Sequence, residues 1–338
     1  MSRLLVPLLL GAAWLWACDD DPSPAPTPTE AAWAVPAAGP DPALGVYMSA
    51  WGPSAESLFT VGGQPDAGVI WRRDAAGWTR LSPPDGPLLN WVQGAAGVLW
   101  VVGDGGRALR SDDGGQTFTA VPTPTDAPLW GVWAGDADTV WAVGGDARAA
   151  QADWAPVLLR LDGDAFQAVP LPAVDRDFAA LFKVWGSGPG DVVAVGARGV
   201  LLHFDGQAWT QQPVVGGTAD DLISVWGTGP DRVFVAGGRS NALALQRTPA
   251  GWQKILPDTL AARPGLNGVW VAPDGTASLV GLRGAALRLT PTGELLRDRT
   301  DTSLVLHAVF GAGDRRVAVG GSLDSNPPWT GLVLEDAP

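Results

Sequence analysis

Seven times along the 338-residue chain a short hydrophobic run closes on a glycine. The runs end Thr60-Val61-Gly62, Val101-Val102-Gly103, Ala142-Val143-Gly144, Ala194-Val195-Gly196, Val235-Ala236-Gly237, Leu279-Val280-Gly281 and Ala318-Val319-Gly320. Successive glycines lie 41, 41, 52, 41, 44 and 39 residues apart. Such a period marks a repeat architecture before any local reading is made. An aromatic stands eleven residues before the glycine at Trp51, Trp133, Trp185, Trp226 and Trp270, and ten before it at Phe310. In the second copy Val92 takes that register, with Trp91 beside it.

Turns rich in Gly, Pro and Asp, such as Gly186-Ser187-Gly188-Pro189-Gly190-Asp191, join the two landmarks as adjacent antiparallel strands. A third strand (Val200 to Phe204), a tight turn (Asp205-Gly206-Gln207) and a fourth strand opening at Trp209 complete the unit. The outer aromatic recurs as Trp78, Phe118, Phe166 and Trp252. Four short strands in about 40–45 residues describe a β-propeller blade. The expected fold class is all-β, a seven-bladed β-propeller over residues 31–338. The tryptophans are expected between neighbouring sheets, so their abundance reads as packing before binding. The seventh copy has three strands, the last at Leu332-Val333-Leu334, and Ala31-Ala32-Trp33-Ala34-Val35-Pro36 resembles the fourth strand Ala165-Phe166-Gln167-Ala168-Val169-Pro170. Residues 31–36 are therefore predicted to close the seventh blade and remove its open edge.

Composition narrows the function classes. With 46% apolar and 17% charged residues the chain can bury a large core. One Cys excludes a disulfide framework and a Cys-based zinc site. Two histidines, His203 and His307, argue against a His-rich metal centre, and each reads as a satisfied structural residue on its strand. A net charge of −13 argues against nucleic acid as a partner. No Walker loop, G-x-S-x-G or metal triad is present, so no catalytic residue, cofactor or metal is expected.

The N-terminus reads as an address. Residues 1–17 have a basic start, an apolar run from Leu4 to Trp16 and a small residue before Cys18, the pattern of a signal peptide. Leu15-Trp16-Ala17-Cys18 resembles the bacterial lipobox, which implies lipid attachment at Cys18 and a membrane partner through that anchor. The alternative is a plain secreted chain with a free N-terminal Cys. Residues 18–30 are the lipidated Cys and a Pro-rich tether; Asp19 to Thr29 in polyproline II would reach about 35 Å. The expected location is the bacterial cell envelope, periplasmic or surface-exposed.

Two stretches carry family resemblances. Val184 to Gly196 followed by Leu201 to Trp209 resembles the repeat of myxobacterial propeller lipoproteins and is similar to photosystem II assembly factor-like propellers. Ser111-Asp112-Asp113-Gly114-Gly115-Gln116-Thr117-Phe118 resembles the Asp-box of BNR repeats in sialidases and related propellers. In that reading Ser111, Asp113, Gly114, Gly115, Thr117 and Phe118 are structural, with Asp113 capping a hairpin over a packed aromatic. A sialidase would need a Tyr–Glu pair, and none of the four Glu pairs obviously with the single Tyr47.

The candidate binding face lies in the loops after each glycine-terminated strand, where Arg107, Arg148, Arg198, Arg239 and Arg283 recur. Guanidinium groups around a mouth suit carboxylate, phosphate or an acidic peptide. Photosystem II assembly factor-like propellers imply a comparable arginine patch. The other reading pairs these arginines with interblade Asp85, Asp126, Asp175, Asp177, Asp220, Asp221, Asp258 and Asp298. Lys183 joins the candidates because its strand should line the channel where other copies carry Ser49, Gly131, Ser224, Gly268 and Ala308. Asp146–Pro156 forms an enlarged loop on the same face. The function expected is a non-catalytic protein-interaction or assembly scaffold, monomeric, meeting an envelope or extracellular protein or an anionic ligand. The alternative is a carbohydrate-binding or carbohydrate-processing propeller.

Overall fold

Each glycine-terminated run pairs antiparallel with the strand before it, and two further strands add outward. The computed structural model describes residues 32–54, 56–146, 155–256, 264–313, 315–323 and 326–336. The signal segment, Cys18, the tether, Arg148 and Asp258 lie outside them, as does most of the enlarged third-interval loop. The described residues build seven four-stranded sheets, each in simple sequential order except the last. Blade four is representative: Leu181–Gly188, Asp191–Gly196, Leu201–Phe204 and Trp209–Gln211.

The innermost strands are Val46–Ser54, Leu89–Ala95, Leu129–Ala134, Leu181–Gly188, Leu222–Gly229, Leu266–Val271 and Val305–Ala312. Each touches the innermost strands of both neighbours, and the first touches the seventh, so the ring is closed. The N-terminal strand Trp33–Ala34 pairs antiparallel with Gly331–Asp336 and is the outermost strand of blade seven. Closure by the predicted segment is thus a feature of the fold. The seam is fastened by charge as well. Arg288 Nε donates to Asp298 Oδ1 at 2.8 Å, and Arg316 Nη1 donates to Asp298 Oδ2 at 3.2 Å. The Arg316 guanidinium lies 4.9 Å from the centre of the Trp33 ring, and its Nε donates to Asp336 at 2.6 Å.

Tryptophans fill the gaps between sheets. Trp100 of blade two meets Phe166 of blade three edge-on at 5.8 Å, and Trp141 of blade three meets Phe204 and Trp209 of blade four at 5.1 Å each. Burying rings of this size is the largest single-residue contribution available to the core. On the inner strands the Trp133 ring packs on Gly186 of the next blade, where a Cβ would come within 2.7 Å of it. The second blade departs from the expected register. Gln93, not Val92 or Trp91, pairs with Trp100 as Trp133 pairs with Trp141. Gln93 is buried, and its Oε1 accepts from Ala134 N at 2.7 Å, a polar tie between blades where other copies use a ring.

The repeating glycine has a specific cause. At Gly62, Gly103, Gly144, Gly196, Gly237, Gly281 and Gly320 a Cβ would fall 1.9–2.4 Å from a carbonyl oxygen at the start of the blade's innermost strand. That strand carries a β-bulge immediately afterwards in all seven blades. Glycine admits the close approach, and the bulge re-aims one side chain per blade.

Candidate functional site

The bulged residues are Met48, Asn90, Trp130, Phe182, Ile223, Asn267 and His307, one from each innermost strand, and all seven line one cavity of about 450 Å³. The cavity opens at the end of the ring where the glycine-terminated strands finish, because Leu89 pairs with Gly103 and Leu181 with Gly196. Leu323, Trp329 and Arg239 complete its wall. The arginine-bearing loops therefore surround this mouth.

One residue deeper stand Ser49, Trp91, Gly131, Lys183, Ser224, Gly268 and Ala308, each paired with the residue before the repeating glycine. Lys183 reaches past Gly131 of blade three to blade two, where its Nζ sits 3.8 Å from the centre of the Trp91 ring. A Cβ on Gly131 would lie 3.0 Å from Lys183 Cα, so the small residue permits the crossing. Nζ donates to Trp130 O at 2.7 Å. Burial lowers the Lys183 pKa from its ordinary value to about 7. His307 is held down to about 4, by burial first and by Lys183 second. His307 Nε2 and Asn90 Oδ1 are buried without a hydrogen-bond partner. Among the two histidines, only His203 fits the expected satisfied role: its Nε2 lies 2.6 Å from Asp191 Oδ1. His307 departs from it because the bulge turns the ring into the cavity.

The arginines are less regular in space than in sequence. Arg198 and Arg283 occupy the same place, two residues after the glycine, in left-handed backbone at φ 57° and 55°, and both side chains are exposed. Arg107 sits two residues later, where blade four has Val200, since Gly103 N bonds to Arg107 O as Gly196 N bonds to Val200 O. Its guanidinium turns inward, to Pro87 O at 2.7 Å and to Pro84 O. Arg107 is thus a brace between blades one and two, with its guanidinium committed to backbone carbonyls. Asp221 joins two loops by accepting from Arg198 N at 2.8 Å and pairing with the Arg239 guanidinium. Arg198 Nη1 reaches Asp177 O at 2.9 Å. Asp298 belongs to the seam instead of the mouth.

On the outer rim, Asp113 accepts from Thr117 Oγ1 at 2.6 Å, from Thr117 N and Gln116 N at 2.9 Å, and from Ser111 Oγ at 2.8 Å. These bonds, led by those from Thr117, lower its pKa to about 2. Gly115 N donates to Ser111 Oγ, Phe118 is buried beneath, and Gly114 has positive φ at the tip. Both oxygens of the Asp113 carboxylate serve the turn itself. Ser187, His203 and Asp191 also approach one another, but Ser187 Oγ and His203 Nε2 both bond to Asp191, so the imidazole does not face the hydroxyl. The exposed large hydrophobic residues among those described are Val35 and Val215, neither of them aromatic.

No family model matches the chain, and no curated protein matches it. Among solved structures it is similar to YCF48 bound to D1 peptide, at TM-score 0.64 and 16% identity over 92% of this chain and 96% of that one. YCF48 from Cyanidioschyzon merolae gives 0.65 and 16% over 90% and 98%. The WD40 β-propeller domain of Doa1 gives 0.64 and 8% over 87% and 93%. The likeness is one of fold. It covers nearly the whole ring, as the resemblance to photosystem II assembly factor-like propellers implies, and it leaves the mouth to be read from its own residues.

Proposed function

We propose that the protein is a non-catalytic interaction or assembly scaffold whose mouth face takes an acidic segment of a partner protein. The observation that carries this reading is the matched pair Arg198 and Arg283. Both are exposed at loop tips in left-handed backbone that costs an L-residue about 1–2 kcal/mol. YCF48, a similar ring, is described bound to a peptide, which supports the same kind of use here. We read residues 1–18 as a signal peptide and lipid-attachment site, placing the ring in the bacterial envelope on its Pro-rich tether, and the Asp113 turn as an Asp-box kept for structure.

The test is capture of envelope proteins by the intact chain and by an Arg198→Ala/Arg283→Ala double variant. Loss of a specific partner in the double variant, with unchanged thermal stability, is expected. Equal recovery by both proteins overturns the reading. Acyl labelling checks the anchor: Cys18→Ser should abolish it.

A further inference from the structure

We propose that the central mouth is a binding pocket for a small organic acid that joins a carboxylate to an apolar, ring-sized group. The proposal uses residues apart from the exposed arginines of the scaffold reading and stands without it.

Three observations converge. The first is charge. The chain carries 35 Asp and Glu against 22 Lys and Arg, yet the described residues lining the cavity include Lys183 and Arg239 and no carboxylate. Arg239 is already paired with Asp221, which leaves Lys183 as the lining cation with no carboxylate against it among the described residues. The second is the state of its polar groups. An ammonium offers three donors, and Lys183 spends one on Trp130 O and turns a face to Trp91, with no ion pair recorded among the described residues. A buried cation without a counter-ion is costly, and a bound carboxylate would supply one. His307 Nε2 is unpartnered at the same wall and in its N–H form is a further donor beside Lys183. The third is shape. Trp130, Phe182, Ile223, Met48, Leu323 and Trp329 form the apolar part of the wall, and about 450 Å³ lies within the range of small-molecule sites.

The seven bulges explain why such a pocket arises here. Each repeat contributes one side chain, but the seven contributed are all different except for the two Asn. A position needed for blade packing would repeat, as the glycines do.

The probe is 3-phenylpropionate, titrated into the intact chain and followed by calorimetry and by tryptophan fluorescence, since Trp130 and Trp329 line the cavity. One-site binding tighter than about 1 mM is expected. The neutral analogue 3-phenylpropanol and the Lys183→Met variant should each weaken it by about tenfold or more. Met48→Trp, which fills the cavity from another blade and leaves Lys183 in place, should also block it. Circular dichroism and thermal melting verify that both variants are folded. Affinity should fall about tenfold per pH unit above about 7, where Lys183 gives up its proton. The other charged groups facing this region are His307, Arg239 paired with Asp221, and Asp104, which accepts from Asn90.

A peptide ending in Phe with a free carboxylate, run beside its amide, separates a free acid from a chain terminus as the source of this chemistry. No saturation by either carboxylate overturns the proposal, as does equal binding of the alcohol or of Lys183→Met. An Arg198→Ala/Arg283→Ala double variant should bind 3-phenylpropionate normally, so the pocket and the scaffold face fail independently.

Discussion

At the seam between blades six and seven, Asp298 receives two guanidinium groups and Arg316 covers Trp33. At the mouth, Lys183 covers Trp91, and the acceptor recorded for it is a carbonyl. Both places bring a cation onto an indole beside a blade junction. The seam supplies the opposing carboxylates from the same chain, and the mouth does not. Buried charge that is fully paired holds a structure in one arrangement, whereas buried charge short of a counter-ion is a site awaiting one.

The comparison breaks most readily at the seam. Asp298→Ala leaves Arg288 and Arg316 without their shared acceptor and should cost about 3–5 kcal/mol in urea unfolding. A loss below about 1 kcal/mol would mean the seam is held by strand pairing alone. Trp33→Ala removes a buried ring from the closing strand and should cost about 3 kcal/mol, with the fourth strand of blade seven exchanging its amides early. Arg107→Ala should cost about 1–2 kcal/mol, because two interblade carbonyls lose their donor, while Arg283→Ala stays within about 0.5 kcal/mol. Equal costs would erase the distinction between brace and free arginine.

The mouth gives the smallest effect and the opposite sign. Lys183 titrates near 7 when folded against an ordinary value of 10.5, so between these values the unfolded chain holds more protons. Stability of the native sequence should therefore rise as pH climbs from 7 toward 10.5. Lys183→Met removes that slope and should be the more stable protein at pH 7, with its advantage shrinking steadily as pH rises toward 10. Unfolding curves at the two pH values check it. A destabilised Lys183→Met at pH 7 would place Lys183 with the seam, as a structural cation.

Much of the ring is legible in the chain because its determinants are local and repeat. Gly, Pro and Asp turns, alternating strands and outer aromatics recur seven times, and Trp33 matches Phe166 closely enough to reveal the closing strand. The repeating glycine even signals the bulge, since a glycine inside a strand marks close backbone approach. The candidate site is legible in part. Lys183 stands out by breaking a small-residue position, and Arg107 stands four residues after its glycine where Arg198 stands two after, but only the structure shows that the Arg107 guanidinium is spent on Pro84 O and Pro87 O. His307 and Asn90 carry no repeat signal, for nothing in a single blade says which way a bulged residue points.

What the chain determines by itself, then, is the blade, its number and its closure, all set by turn chemistry and strand patterning within about 40 residues. The tertiary structure alone decides the mouth. Its members come from seven blades and differ from one another, and Lys183 meets Trp91 across Gly131 because the ring brings blades two, three and four to one axis. Sequence separation hides such a site, since its chemistry depends on residues whose nearness exists only once the ring has closed.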